Sequence, residues 1–272
     1  MSKNAAGVEV FNGFKIAYPE YSVITPQTLK EFTIRSLTVE EEEKLKSSLL
    51  TPTKLSDHLN EIIFTCISKK PDDIVTYKDF LTKLTVVDRD ALMYGLYHIT
   101  YKDIHNYDIS CAKCEHVNSV KVNFLNSFKA TIWPDDKSTI TELEIPIKFE
   151  IAKGITAIIR QPTLSDESEL LKSLTFSSEE VRDMSMQLLI IKRFEIEKEG
   201  VKIPDTIEER ENILKGYKQL PATDKDMIAE VYQENFGKYS VEIKSIVRCQ
   251  KCGREDDVSI DLVKQFFRAM YK

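Results

Sequence analysis

Two Cys-x-x-Cys pairs are the residues of this chain best suited to chemistry. They are Cys111-Ala-Lys-Cys114 and Cys249-Gln-Lys-Cys252, and each lies between two short apolar stretches that predict the arms of a β-hairpin. Four thiolates in two such pairs are the usual ligand set of a tetrahedral structural zinc site. We therefore predict that Cys111, Cys114, Cys249 and Cys252 bind one structural zinc ion, with an iron centre as the alternative.

The spacing favours a structural metal site over a catalytic or a redox site. A catalytic zinc ion keeps one coordination position open, whereas four thiolates close the shell. A redox-active pair lies at the start of a helix, but here each pair is followed by polar residues and then a strand pattern. His116 could replace one thiolate, yet Arg254 stands at the matching position, so we interpret His116 as a surface residue. A thiol-redox enzyme remains an alternative.

Other catalytic motifs are missing from the sequence. There is no phosphate-binding glycine-rich loop, no Gly-x-Ser-x-Gly and no His-Glu-x-x-His. The acidic run Glu40–Glu43 is typical of a solvated first helical turn, and the pair Asp88 and Asp90 needs no magnesium ion. The fifth cysteine, Cys66, lies in the apolar run EIIFTCI and is predicted to be a buried, inert thiol. We therefore predict that the protein is not an enzyme.

Composition and charge narrow the classes of partner. The 272 residues are 42% hydrophobic and 30% charged, and the formal net charge is −6. A nucleic-acid binder needs a basic face, but acidic residues are interspersed with the basic ones around the cysteines, so we predict no nucleic-acid partner. A zinc-ribbon nucleic-acid-binding adaptor is kept as the alternative. No apolar stretch is long enough for a membrane helix, and the N-terminus lacks a signal peptide, which predicts no membrane partner.

The two halves of the chain resemble each other, which predicts a tandem duplication. The stretch FTIRSLTVEEEEKLKSSL from Phe32 resembles AIIRQPTLSDESELLKSL from Ala157, 125 residues later. The cysteine pairs lie 138 residues apart, so the second copy is longer, and the polar stretch EKEGVKIPDTIEER is the predicted insertion. Each half would then contribute one cysteine pair to a shared metal site.

Helix start signals occur at matching places in the two halves. Thr38 with Glu41, and Thr163 with Asp166, fit capping boxes in which each side chain bonds the backbone of the other residue. These two signals predict that a helix follows the first strand of each half.

Further helices follow from the spacing of apolar residues. They are expected around 55–68, 76–84 and 88–100 in the first half. Asp88 and Asp224 are predicted to be the N-caps of matching helices in the two halves.

The predicted fold class is α+β. It is a tandem duplication of a mainly helical unit, each copy ending in a zinc-knuckle β-hairpin, with the two knuckles joined into one zinc-ribbon-like site. The predicted boundaries are an N-terminal arm at 1–28, a first repeat at 29–128 with its knuckle at 111–114, a linker and leading strand at 129–148, and a second repeat at 149–272 with its knuckle at 249–252 and a C-terminal helix.

Two segments have open interpretations. Trp133, in the loop WPDDKSTITE, fits either a core position or an anchor in a protein interface. The last residues, DLVKQFFRAMYK, predict a short helix that is apolar on one side. That helix would either close the ribbon or dock on a partner subunit.

Three segments carry a family resemblance. They are FTIRSLTVEEEEKLKSSLLTPTKLSDHLNEIIFTCI, VVDRDALMYGLYHITYKDIHNYDISCAKCEHVNSVKVNF and RCQKCGREDDVSIDL. They resemble the baseplate hub and hub-assembly proteins of T-even-like contractile-tailed bacteriophages. The resemblance implies a non-enzymatic structural or assembly (chaperone-like) component of the tail baseplate hub, which acts through protein–protein contacts.

The same resemblance implies partners and locations. The partners would be other baseplate hub, spike or tape-measure proteins of the phage, and a homo-oligomer is compatible with the sequence. The protein would be found in the host cytoplasm during assembly and in the tail baseplate of the virion. The zinc site would keep the surface that meets these partners rigid.

Overall fold

The computed structural model describes most of the chain. The described residues are 17–47, 52–101, 104–131, 142–146, 154–173, 188–198, 201–203, 210–237 and 239–261. Residues 1–16 of the predicted arm, Trp133 and the predicted C-terminal helix after its first residue, Asp261, lie outside these ranges.

A three-stranded antiparallel sheet opens the first half. Its strands, in spatial order, are β1 (Glu20–Ile24), β2 (Glu31–Arg35) and β3 (Ile67–Lys69). In the central strand Phe32 and Ile34 are fully buried and alternate with partly exposed residues, as the two-residue period of a strand requires. The pairing of β2 with β3 shifts register between Thr33 and Ile34.

Four helices pack on this sheet and on one another. They are α1 (Val39–Ser47), α2 (Pro52–Cys66), α3 (Tyr77–Lys83) and α4 (Val86–Thr100). The third helix, α3, agrees with the helix predicted over 76–84, because Thr76 is its N-cap and Leu84 its C-cap. The second ends at Cys66, two residues before the predicted end, because the chain passes directly into β3.

The predicted N-cap of α4 was wrong by three residues. The helix is capped by Thr85, whose hydroxyl accepts from the backbone N–H of Asp88 at 3.2 Å. The Asp88 carboxylate accepts in return from the Thr85 N–H at 3.1 Å, which completes a capping box. Asp88 is therefore the third residue of the helix, and its side chain is fully buried.

A β-hairpin follows the helices. It consists of β4 (Ile104–Ser110) and β5 (Val117–Asn123), and it leads through the single turn α5 (Phe124–Ser127) into β6 (Phe128–Ala130). Val122 and Phe124 are buried in the first core, so the base of the hairpin is anchored there.

A second antiparallel sheet opens the second half. Its strands, listed in chain order, are β7 (Glu142–Pro146), β8 (Ile155–Arg160), β9 (Ile191–Lys198) and β10 (Val201–Ile203). In space they follow the order β10, β9, β8, β7. The pairing of β8 with β9 shifts register between Ile158 and Ile159. The predicted strand LEIPIKFEI is described only as far as Pro146.

Among the described residues, the second half contains the helices α6 (Leu164–Ser173), α7 (Arg210–Lys218) and α8 (Ala222–Tyr232), besides a helical end at 188–190, and α8 continues into a π-helical turn (Gln233–Gly237). Asp224 is the third residue of α8 rather than its N-cap, which is Pro221. This prediction was therefore wrong in the same direction as that for Asp88.

The two capping boxes predicted at the strand-to-helix turns are confirmed. Thr38 Oγ1 accepts from the Glu41 N–H at 3.3 Å, and the Glu41 carboxylate accepts from the Thr38 N–H at 2.9 Å. Thr163 and Asp166 exchange the same two bonds, at 3.2 and 2.9 Å. The short polar side chains end the strand and start the helix by satisfying N–H groups that have no helical partner.

The last hairpin joins the two halves. It consists of β11 (Val241–Arg248) and β12 (Glu255–Ile260). β11 also pairs with β6, with Ile243 opposite Phe128, so its sheet has the order β12, β11, β6. Ile243 is buried in the first core, so the bases of both hairpins are anchored in the same core.

The described residues form two hydrophobic cores. The first contains residues of the first half together with Leu164 and Ile243. The second consists of second-half residues, with Leu29 and Val86 packed against it. This mixture of sheets and helices is the predicted α+β class. Among the described helices, none is both long and apolar enough to cross a membrane.

Candidate metal centre

The turn of the first hairpin presents Cys111 and Cys114 at its tip. The Cys111 N–H donates to the His116 carbonyl at 2.9 Å, and the Glu115 N–H donates to the Cys111 carbonyl at 2.9 Å. These bonds fold the chain back on itself within six residues. Glu115 has a φ of 57°, a left-handed conformation that few side chains adopt readily.

The turn of the second hairpin repeats this geometry. The Cys249 N–H donates to the Arg254 carbonyl at 2.7 Å, and the Gly253 N–H donates to the Cys249 carbonyl at 2.9 Å. Gly253 has a φ of 71°, which glycine adopts at low cost. The two turns therefore present their cysteines in the same manner.

The four predicted cysteines come together between the two hairpins. All four Sγ atoms lie within 4.8 Å of one another. The Sγ atoms of Cys111 and Cys252 are 3.6 Å apart, as are those of Cys114 and Cys249. A disulfide has sulfurs about 2 Å apart, whereas tetrahedral Zn–S bonds of about 2.3 Å separate them by about 3.8 Å. The spacing therefore suits a tetrahedral metal ion and not a disulfide.

The pairing of the cysteines is reciprocal. The first cysteine of each pair lies next to the second cysteine of the other pair. Contacts of this kind are what a local two-fold axis produces. An ion on that axis would be bound by equivalent ligands from both hairpins.

Backbone amides favour the thiolate form at the first cysteine of each pair. The N–H groups of Cys252 and Lys251 lower the pKa of Cys249 to about 6. The N–H groups of Lys113 and Cys114 lower the pKa of Cys111 in the same way. Since a metal ion binds the thiolate, these amides prepare two of the four ligands.

The second cysteine of the first pair behaves differently. The His116 N–H lowers the pKa of Cys114, but burial and the neighbouring thiols outweigh it and raise the pKa to about 11. Four thiolates close together repel one another unless a cation lies between them. In the absence of a metal ion, the cluster therefore retains protons that metal binding would release.

Asn118 is a buried polar residue that the sequence analysis missed. It lies on β5, is 1% exposed and bonds backbone groups of both hairpins. The matching residue of the second hairpin is Asp256, so a polar side chain recurs at this strand position. That recurrence was the available signal.

The surface around the cysteines carries charges of both signs. Lys113 and Lys251 are exposed at matching positions in the two turns. The Arg254 Nε donates to Asp256 at 2.6 Å, which pairs one of the arginines with a carboxylate of its own hairpin. This interspersed pattern is the one expected from the sequence.

Three other predicted features lie elsewhere. Cys66 is fully buried and is not part of the cysteine group, and burial raises its pKa to about 12. Glu41, from the acidic run at the start of α1, is bonded to Arg35. Asp88 accepts from the N–H groups of Gln27 and Thr28, at 2.9 and 3.3 Å, so its carboxylate is used by the fold.

The comparisons with known proteins identify the family. No curated protein and no solved structure matches the chain. A family model described as T4 bacteriophage base plate protein matches residues 18–268. The match spans both hairpins and all four cysteines of the candidate metal centre. Because it covers most of the chain, the protein belongs to the T4 bacteriophage base plate protein family.

Proposed function

We propose that this base plate protein is a non-enzymatic structural or assembly component of the tail baseplate hub, kept rigid by one zinc ion. Cys111, Cys114, Cys249 and Cys252 would bind the ion. The observation that carries the proposal is the convergence of four Sγ atoms, from hairpins far apart in sequence, within 4.8 Å. Four thiolates leave no coordination position for a substrate, which favours a structural ion over a catalytic one.

The two halves would have arisen by tandem duplication. In support, β1–β2–β3 and β7–β8–β9 have the same strand order, and both central strands shift register at positions 125 residues apart. Arg35 binds Glu41, and Arg160 binds Asp166, each through two hydrogen bonds. Such matching in detail is expected of two copies of one unit.

The proposed domain boundaries follow from the duplication. The repeats would occupy 29–128 and 149–272, with an arm at 1–28 and a linker and leading strand at 129–148. Since β1 and β7 occupy corresponding places beside β2 and β8, each repeat would also include the strand before its proposed start.

The partners would be other hub, spike or tape-measure proteins. Family membership supports contacts with other components of the phage tail. The protein would meet them in the host cytoplasm during assembly and would remain in the tail baseplate. The interspersed charges around the cysteines favour a protein partner over a nucleic acid, whose phosphates require a basic face.

Metal content tests the shared site. We expect elemental analysis of the purified chain, combined with native mass, to give one zinc ion per monomer. Cys111→Ser and Cys249→Ser should each bind far less zinc, because a single remaining pair cannot close the shell. Cys66→Ala is the matched control and should keep the ion, since Cys66 is not part of the group. Wild-type protein without metal, or serine variants that keep one ion, would overturn the proposal.

Co-expression with hub proteins of the same phage tests the proposed role. Wild-type chain should co-purify with at least one of them, and Cys249→Ser should do so less well because its contact surface is no longer rigid. A chain that binds its ion but forms no complex with any hub, spike or tape-measure protein would contradict the proposed role while leaving the metal site intact.

A further inference from the structure

Asn118 is buried where the two hairpins meet. It lies on β5, four residues after Cys114, and only 1% of it is exposed. Burying a carboxamide costs free energy unless its N–H and C=O groups form hydrogen bonds. A buried carboxamide is therefore expected only where neighbouring groups provide those partners.

Two of its bonds stabilise the first hairpin turn. The Asn118 Nδ2 donates to the Ile109 carbonyl at 3.3 Å and to the His116 carbonyl at 3.2 Å. The His116 carbonyl also accepts from the Cys111 N–H. Asn118 therefore fixes the same peptide that orients the first cysteine of the pair.

The third bond crosses to the second hairpin. The Asn118 Oδ1 accepts from the Gln250 N–H at 2.9 Å. Gln250 lies between Cys249 and Cys252, so this bond fixes the second turn in relation to the first. It joins residues 132 positions apart in the chain.

We propose that Asn118 is a positioning residue that aligns the two cysteine pairs for metal binding. The inference rests on the proposed metal site. Asn118 is not a ligand itself, but its hydrogen bonds hold the two turns in a fixed position relative to each other. Its partners are all backbone groups of the two hairpins, so this arrangement exists without a metal ion. A preformed site loses less conformational freedom on binding than one that must first be assembled.

The proposal predicts a loss of metal affinity without loss of any ligand. Substitution of residues that orient metal ligands typically costs about 10- to 100-fold in affinity. Asn118→Ala should therefore bind Zn²⁺ about 10- to 100-fold more weakly than the wild-type protein. Asn118→Leu, which fills the same volume without hydrogen bonds, should show the same loss, and this separates the lost bonds from a cavity effect.

Asp256→Ala is the matched control. Asp256 occupies the corresponding position of the second hairpin, but its carboxylate bonds the exposed Arg254 of its own hairpin. Its removal should leave the affinity for Zn²⁺ within about twofold, since an exposed ion pair of this kind contributes little.

The experiment is a competition between the full-length chain and a chromophoric chelator for Zn²⁺, with Co²⁺ absorption as a second readout. Weaker Zn²⁺ binding and altered Co²⁺ bands in both Asn118 variants, with Asp256→Ala unchanged, would support the proposal. Wild-type affinity and bands in folded Asn118 variants would overturn it. A wild-type chain that binds neither ion would instead refute the metal site itself.

Discussion

Arg35 closes the first strand-to-helix turn by binding Glu41 through both of its Nη atoms. The Nη2 lies 2.6 Å from Oε1 and the Nη1 lies 3.0 Å from Oε2. Burial would raise the pKa of Glu41, but the hydrogen bonds from Arg35 and from Thr38 outweigh it and lower the pKa to about 2. The carboxylate is thus held in its charged form by the fold.

This ion pair predicts a pH-dependent contribution to stability. The pKa of Glu41 is lower in the folded chain, at about 2, than its ordinary value of 4.5. Its contribution should therefore be complete above pH 4.5 and should decrease as the pH falls toward 2. At neutral pH, Glu41→Gln should lower the free energy of unfolding by about 2 kcal/mol, measured by urea denaturation.

Glu40→Gln is the control for this prediction. Glu40 is the exposed neighbour in the same helical turn, and its substitution should change the unfolding free energy by less than about 0.5 kcal/mol. The difference between wild type and Glu41→Gln should shrink as the solution is acidified. A difference that stays constant with pH would show that the charge of Glu41 is not what stabilises the turn.

Single residues were predictable where their partners are close in sequence. Thr38 with Glu41, and Thr163 with Asp166, were found because each pair is three residues apart and the capping box has a fixed spacing. The N-cap of α4 was missed because Thr85 and Asp88 both fit a helix start. Asn118 was missed because its partner Gln250 is 132 residues away.

At the scale of elements, the N-termini of α4 and α6 meet between the two halves. The Val86 N–H donates to the Pro162 carbonyl at 3.0 Å, and the Leu164 N–H donates to the Leu84 carbonyl at 3.1 Å. These two bonds form an antiparallel bridge between the capping residues Thr85 and Thr163. The helices of the two halves are therefore joined by backbone as well as side chains.

A largely buried ion pair reinforces this contact. Arg89 on α4 binds Glu167 on α6 through both of its Nη atoms, with the Nη2 at 3.2 Å from Oε1. The Arg89 side chain is 7% exposed and that of Glu167 is 18% exposed. The Ser56 hydroxyl on α2 also donates to Glu167, at 2.7 Å. Three helices thus meet at one carboxylate.

Removing one member of this ion pair should destabilise the protein more than replacing both members with apolar residues. Glu167→Leu should lower the free energy of unfolding by about 3 kcal/mol, because it removes the carboxylate that binds both Nη atoms of the buried Arg89 and leaves it only Asp90, at 3.6 Å. Arg89→Met combined with Glu167→Leu should recover part of that loss, since an apolar pair needs no ion partner, although Asp90 then lacks the Arg89 charge. Urea denaturation of both single variants and of the double variant gives the coupling energy.

Lys172→Ala is the control for the cycle. Lys172 also lies on α6 and faces Asp57 at 3.8 Å, but its side chain is 64% exposed, so its removal should cost less than about 1 kcal/mol. Additive effects of the Arg89 and Glu167 substitutions would contradict the proposed coupling of the two helices.

At the scale of the whole molecule, the class of fold was predictable, but the contacts that join its halves away from the cysteines were not. The helices and hairpins have local patterns, so the sequence predicted α+β and the helix of 76–84. The pairing of β6 with β11, and the pair Arg89 and Glu167, involve residues distant in sequence. Local periodicity carries no information about which distant strand or helix will be the partner.

The candidate site was predictable for a different reason. The type and spacing of cysteines predict that the four thiols converge even when the pairs are far apart, because a shared metal ion is the usual reason for two such pairs. The sequence could not predict that both hairpins rise from the first core. Ile243 and Val122 are buried together there, and this common base brings the two turns close.

A metal ion at this site would close a long loop of the chain. The contacting cysteines are 135 and 141 residues apart. In the chain-entropy treatment, a crosslink over a loop of this order stabilises the folded state by up to about 5 kcal/mol, because it restricts the unfolded chain. The pairing of β11 with β6 exists only in the folded state and does not replace this restriction.

Removal of the metal should therefore weaken the whole protein. Wild-type chain stripped with a chelator should melt about 10 °C below the metal-loaded chain, measured by circular dichroism. The secondary structure should persist at low temperature, because both cores and the β6–β11 pairing remain. Cys249→Ser should melt near the stripped wild type and should not respond to the chelator. If elemental analysis shows complete removal and the melting temperature is unchanged, the ion does not hold the two halves together and the hairpins are joined by the protein contacts alone.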